Sequence, residues 1–196
     1  MTACIELFSQ SGLSGVALQE AVEERFPAGD CEAVSVSDHS PGPVEDQETL
    51  VRLVFHPIHV DEKTGVVVSV AFTDAWKSDL SVFRDELARL EEIQLAIEQM
   101  KATGLRKTPP RERRVVEARS ARVAAVRRDM LSKAQSRAFR VYDTGEKEKP
   151  HHASVFLTKA ARSELSEKSM RKRLFELFSA IGGKYRDGLV LSIRSD

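Results

Sequence analysis

Three groups of side chains have the types and spacing to do chemistry. The first is four histidines: His56 and His59 three apart, His151 and His152 adjacent. Four imidazoles make a zinc complement if the two segments meet. On a straight strand, though, residues one or three apart point to opposite faces, and only a bend at Pro57 would bring the first pair together. The expectation is no metal site and four neutral, hydrogen-bonded histidines. The second group is Arg52, His56, Arg84 and His152, with Tyr142 and Asp143 near in sequence. Arginine grips phosphate or carboxylate through two parallel N–H bonds, and histidine exchanges a proton near neutral pH. Around an anionic substrate this set would serve a small transferase. Arg52 alternates with Val51, Leu53 and Phe55, so it leaves a strand on the face opposite to them, toward either a cleft or solvent. The spacing does not force the four residues together. Held at the margin of a core, Arg52 and Arg84 each need an anionic companion, with Asp61, Asp143 or a bound anion as the candidates.

The third group is the basic stretch 106–140, whose candidate binding residues are Arg111, Arg113, Arg114, Arg119, Arg122, Arg127 and Arg128, followed by Lys133, Arg137 and Arg140. Arginine suits planar recognition of carboxylate or phosphate. Phe139 is the only aromatic in the stretch, so a nucleic acid held there would be held by its backbone and not by stacked bases. An acidic protein partner, or the chain's own acidic N-terminal region, fits equally well.

Other chemistries lack their motifs. Gly12-Leu13-Ser14-Gly15 has no following lysine and is not a phosphate loop. There is no Gly-x-Ser-x-Gly elbow and no His-Glu-x-x-His pair. Cys4 and Cys31 sit in no nucleophile signature and are expected to make neither a disulfide framework nor a zinc knuckle. No cofactor is expected.

The elements that must position these groups read as follows. Ile5–Phe8 and Cys31–Ser37 suggest short strands flanking a helix over 16–26, a small N-terminal β-α-β module. Residues 50–60 and Val66–Phe72 read as strands joined by a hairpin-sized loop, Asp61–Gly65. A long helix is expected between Asp79 and Met100, with Gly104 as its stop. Richness in Ala, Arg and Glu favours another helix from about Glu112 through Val126, against two short strands as the alternative. Ala138–Thr144 reads as a strand, 145–150 as an exposed turn, and His151–Leu157 as strand or helix start. Met170–Ile181 is an amphipathic helix, and Leu189–Ile193 a closing strand. The fold class is α+β: a small mixed sheet with several packed helices.

The chain carries 30 Lys+Arg against 30 Asp+Glu, so it is neutral in sum, but the signs are segregated. Residues 1–50 net −9 and residues 101–140 net +10. Either the acidic end folds onto the basic one or the protein shows two faces of opposite sign. The Pro- and acid-rich stretch after Asp38 divides the chain into a small acidic module, 1–38, a linker, 39–49, and a main domain, 50–196, holding the basic segment. Apolar runs such as Val66–Val68 are far too short to span a bilayer. No basic-then-apolar leader opens the sequence, and the expected setting is the cytoplasm.

Two stretches carry a resemblance. Leu50-Val51-Arg52-Leu53-Val54-Phe55-His56-Pro57-x-His59-Val60-Asp61, then Gly65, Ala71-Phe72 and Leu80-Ser81-Val82-x-Arg84, is similar to a set of uncharacterised bacterial proteins. Val141-Tyr142-Asp143-Thr144 and His152-Ala153 resemble the second half of the same pattern. The resemblance implies a bacterial cytoplasmic protein, one member of a multi-gene system, and no activity. More loosely, an early strand arginine, a Leu-Ser-Val-x-Arg element and a late histidine are similar to ADP-ribosyl- and RNA 2′-phosphotransferases, but without their diagnostic catalytic glutamate or tyrosine. The expected function is a non-catalytic accessory or adaptor subunit that docks a protein partner or nucleic acid through opposite charge faces. The alternative is a small transferase using Arg52, His56, Arg84 and His152. The two readings differ in geometry, because an enzyme gathers those four residues in one pocket and an adaptor scatters them.

Overall fold

The computed structural model describes residues 3–10 and 12–181. The chain is α+β, built on a six-stranded antiparallel sheet. In chain order the elements are helices α1 (Ala3–Gln10) and α2 (Gly15–Arg25), strand β1 (Thr49–His56), helix α3 (Asp74–Lys77), strand β2 (Leu80–Arg84), helix α4 (Leu90–Leu105), strand β3 (Arg114–Arg122), helix α5 (Val123–Arg127), strands β4 (Phe139–Tyr142) and β5 (His152–Leu157), helices α6 (Lys159–Glu164) and α7 (Glu167–Leu177), and strand β6 (Ser179–Ile181). The strands lie in the order β4-β5-β2-β1-β3-β6, and among the described residues every pairing is antiparallel, not mixed.

Both faces of the sheet are covered, which is why its central strand reads as an almost unbroken apolar run. On one face Leu50, Val54, Leu80, Val82, Val141 and Val155 pack under the short helices and α7, against Phe72, Ala75, Val126, Ala161, Leu174 and Phe178. The other face is divided. Val51, Leu53, Phe55, Phe83, Val115 and Ala118 pack under α4 through Ile93 and Ile97. Tyr142 and Phe156, on β4 and β5, pack instead under the N-terminal segment through Cys4, Leu18, Val22, Cys31 and Val36. Between these two apolar clusters the same face carries Ser81 on β2 and His152 and Ser154 on β5, paired across the ladder as Ser81↔Ser154 and Phe83↔His152. The seam between the two covers is polar.

Several sequence expectations change, each because pairing or packing outweighs local preference. Ile5–Phe8 lies in α1, and 31–37 is a 3-10 turn (Asp30–Glu32) followed by irregular chain, so no N-terminal β-α-β unit forms. Cys4 and Cys31 form a disulfide, closing a sequence separation of 27 with their Cα atoms 5.6 Å apart. The strand over 50–60 ends at His56, and Val66–Phe72 makes one bridge, Val60↔Val67, before a 3-10 turn at Ser69–Phe72. Leu80–Arg84 is a strand clamped between β1 and β5, so the long helix starts only at Leu90. Gly104 belongs to the last turn of that helix. The Ala/Arg/Glu-rich stretch from Glu112 is mostly β3, held by β1 on one side and β6 on the other. The strand at Phe139–Tyr142, the turn at 145–150 and the helix from Glu167 follow the expectations, though α7 stops at Leu177 and Ile181 lies in β6. The expected closing strand at Leu189–Ile193 lies outside the described residues. Among the described residues no helix is long and apolar enough to cross a membrane.

Candidate functional site: a polar seam and a basic edge

The four transferase candidates do not meet. Even-numbered residues of β1 and β2 face the first core and odd-numbered ones the second, so Arg52, His56 and Arg84 leave the sheet on the side opposite His152. Each arginine is spoken for within the chain. Arg52 Nη1 donates to the Ser81 carbonyl at 3.0 Å and Nη2 to Asp74 at 2.6 Å. Arg84, only 3% exposed, uses all five guanidinium donors. Nε and Nη2 reach the two Glu48 oxygens at 2.6 Å each, and the remaining donors go to Ser40 Oγ and to the carbonyls of Gly42 and Pro43. The companions within the chain are thus Asp74 and Glu48, not Asp61 or Asp143. Breaking a buried pair of the Arg84 kind by removing one partner costs about 3–5 kcal/mol. The segment 39–49, read as a linker, supplies that whole receptor. Of the two residues near this set in sequence, Tyr142 is core, with burial pushing its hydroxyl upward. Asp143 accepts from Ser35 Oγ at 2.5 Å and the Val36 amide at 2.9 Å.

The histidines also separate. His59 Nδ1 accepts from the Phe55 amide at 3.1 Å, and burial, with Arg52 and Arg113 adding like charge against Asp74, pushes its pKa down to about 3. His151 Nδ1 lies 2.6 Å from Glu92 Oε1, a buried carboxylate that ties α4 to the start of β5. His56 is half-buried at the end of β1, opposite Arg114. Among the described residues no three His, Cys, Asp or Glu side chains stand together as a metal site.

His152 occupies the polar seam. Its Nε2 lies 2.6 Å from Ser81 Oγ, and its Nδ1 lies 3.0 Å from Thr144 Oγ1 and 3.2 Å from the Thr144 carbonyl. Thr144 Oγ1 is 2.8 Å from Ser154 Oγ, which donates to Asp79 Oδ2 at 2.6 Å. Burial first, then Lys149, holds the His152 pKa below its ordinary value, so the imidazole is neutral at pH 7. Asp79, Thr144, His152 and Ser154 line a cleft of about 550 Å³, whose apolar walls include Phe8, Leu18 and Phe156.

The basic segment is not one stripe. As a strand it sends its arginines to both faces. Arg113 is buried against α4, beside Met100. Arg119 donates to the Phe175 and Phe178 carbonyls, stacks 3.9 Å over the Phe175 ring and pairs with Glu117, satisfying the end of α7. Arg127, Arg137 and Arg140 converge on buried Glu32, and Arg127 also reaches Asp46. Arg122 lies 3.7 Å from Glu86. Exposed Arg128 adds to the positive field that lowers Asp46. The acidic N-terminal region therefore neutralises much of this segment. Among the exposed arginines, Arg111 and Arg114 stand together on a hollow of about 480 Å³ with His56, Pro57, Glu62 and Glu112. The Arg111 amide donates to Gly104 O, which sets it next to the end of α4, where Leu105 is 60% exposed.

No single-sequence signal reveals Ser81, Thr144, Ser154 and Asp79 as neighbours of His152, because β2 and β5 are about seventy residues apart. Comparisons with protein-family models, with curated proteins and with solved structures return no match.

Proposed function

We propose that the protein is an accessory or adaptor subunit that docks an acidic segment of a protein partner at the His56/Arg114 end of its β1/β3 pair. The observation behind this reading is the sorting of the basic segment. Arg113, Arg119, Arg122 and Arg127 have partners inside the molecule, whereas Arg111 and Arg114 face outward together on one hollow. Exposed Leu105 near Arg111 adds an apolar contact of the kind that protein interfaces bury. Glu62 and Glu112 stand among the arginines, so the hollow carries both signs and suits acidic side chains spaced along a protein segment better than a uniformly anionic phosphodiester backbone. The transferase alternative loses its support, since its four residues lie on two faces of the sheet. The closed Cys4–Cys31 disulfide weighs against a strongly reducing compartment such as the expected cytoplasm, and the docking reading requires no particular compartment.

Fluorescence anisotropy with an acidic peptide and with duplex DNA, across a salt series, tests the proposal. The peptide should bind, and Arg111→Glu with Arg114→Glu should abolish binding while stability changes by less than about 0.5 kcal/mol. DNA binding with a steep salt slope, lost in the same variant, would transfer the edge to nucleic acid. Binding of neither probe overturns the proposal.

A further inference from the structure

We infer that the polar seam is a nucleophile site, in which Ser81 attacks an acyl ester or thioester and His152 serves as its general base. This goes beyond docking, uses none of the residues of the basic hollow and revises the expectation of a non-catalytic protein. Five hydrogen bonds fix one another's direction. At one end, Ser154 Oγ donates to the Asp79 carboxylate at 2.6 Å, and its only proton is thereby committed. Ser154 Oγ can then only accept from Thr144 Oγ1, 2.8 Å away. Thr144 Oγ1, its own proton spent, must accept from His152 Nδ1 at 3.0 Å, and the Thr144 carbonyl at 3.2 Å is likewise only an acceptor. Nδ1 therefore carries the imidazole proton, and Nε2 presents its lone pair. The remaining group on Nε2 is the Ser81 hydroxyl at 2.6 Å, which must donate. Every proton along the chain is oriented by the carboxylate at its far end, and the outcome is the tautomer a serine nucleophile requires.

Accessibility has the right polarity as well. His152 is 8% and Ser154 2% exposed, while Ser81 is exposed to solvent. A neutral imidazole with its Nε2 lone pair on an exposed hydroxyl has the geometry of a general base. The cleft beside the imidazole, lined by His152 and Ser154 but not by Ser81, has apolar walls at Phe8, Leu13, Leu18, Val36 and Phe156, of the kind that holds an apolar acyl chain. In the step, Ser81 Oγ bonds to the acyl carbon as its proton passes to His152 Nε2. The carbon–oxygen or carbon–sulfur bond to the leaving group then breaks, and that group takes the proton from Nε2. Water, deprotonated by the same nitrogen, next cleaves the Ser81 ester, releasing the acid and restoring the hydroxyl. Asp79, Thr144 and Ser154 are positioning residues.

The test is labelling of the full chain by an alkyl fluorophosphonate, followed by peptide mass mapping, alongside hydrolysis of p-nitrophenyl butyrate. One adduct is expected, on Ser81. Ser81→Ala should remove both adduct and turnover while the chain stays folded, any fall in melting temperature being no larger than one lost hydrogen bond explains. His152→Gln should slow labelling about 100-fold or more. Asp79→Asn should slow labelling about tenfold at unchanged melting temperature, with Asp79→Glu restoring part of the rate, which is a readout a purely structural carboxylate would not move. An adduct elsewhere, no adduct, or a labelling rate indifferent to Ser81→Ala overturns the inference and leaves the seam as a structural polar network.

Discussion

At the scale of single residues, burial has converted reactive-looking groups into structural ones with measurable consequences. His59 is the clearest instance. An imidazole in the unfolded chain protonates near pH 6.5, whereas folding holds this one to about 3. The folded value is depressed, so below about pH 6.5 the unfolded chain takes up a proton that the folded chain refuses. The stability contributed by neutral His59 is complete above that pH and is lost at roughly 1.4 kcal/mol per pH unit as pH falls toward 3. His59→Gln keeps an acceptor for the Phe55 amide but cannot titrate. Urea unfolding at several pH values should therefore show wild type losing stability faster than the variant between about pH 6.5 and 4. Equal slopes would mean that the imidazole is not excluded from water.

At the scale of elements, the junction between α4 and β3 is decided by one missing side chain. Glycine inside a helix costs about 1 kcal/mol relative to alanine, so Gly104→Ala would ordinarily stabilise α4. Here a Cβ at residue 104 would run into the Arg111 carbonyl and stand 2.8 Å from Arg113 Cγ. Backbone cannot yield as a flexible side-chain tip does. The substitution should lower stability by roughly 1–3 kcal/mol, reversing the sign set by helix propensity, as measured by chemical denaturation. Because the same contact seats Arg111 and Arg113, the variant should also weaken any binding at the basic edge.

At the scale of the whole molecule, the segregated charges close onto each other. Glu32, 8% exposed, accepts from Arg127, Arg137 and Arg140 and from the Val141 amide at 2.9 Å. The approach is so close that residue 29 has to be glycine: its φ is +83°, and a Cβ there would overlap Arg140 Nη1. One residue before Glu32, the Cys4–Cys31 disulfide fastens α1 to the same turn. Glu32→Gln should cost about 3–5 kcal/mol by leaving partly buried arginines uncompensated. Reduction of the disulfide should cost about 2–4 kcal/mol. If residues 3–48 and the sheet form one cooperative unit, both changes lower a single unfolding transition; an independent N-terminal module would instead melt in a separate step, leaving the rest unmoved.

Local pattern was enough for an α+β chain, a strand within 50–60, the turn at 145–150, the amphipathic α7, and the face on which Arg52 leaves its strand. The sequence also posed the charge question correctly, since a net of −9 and a net of +10 in one chain must be compensated or displayed. Only the tertiary structure decided between these outcomes. Leu80–Arg84 has apolar positions that satisfy either period, and it became a strand because β1 and β5 offer backbone partners on both sides. Arg113 and Arg114 are neighbours in sequence, yet one is buried and the other exposed, because strand alternation separates what a helical stripe would have joined. The companions of Arg84 and His152 come from residues up to 71 positions away. Periodicity and propensity act over a few residues, whereas hydrogen-bond partners and ion pairs are chosen by which strands lie side by side, and that choice is made by the whole chain folding at once.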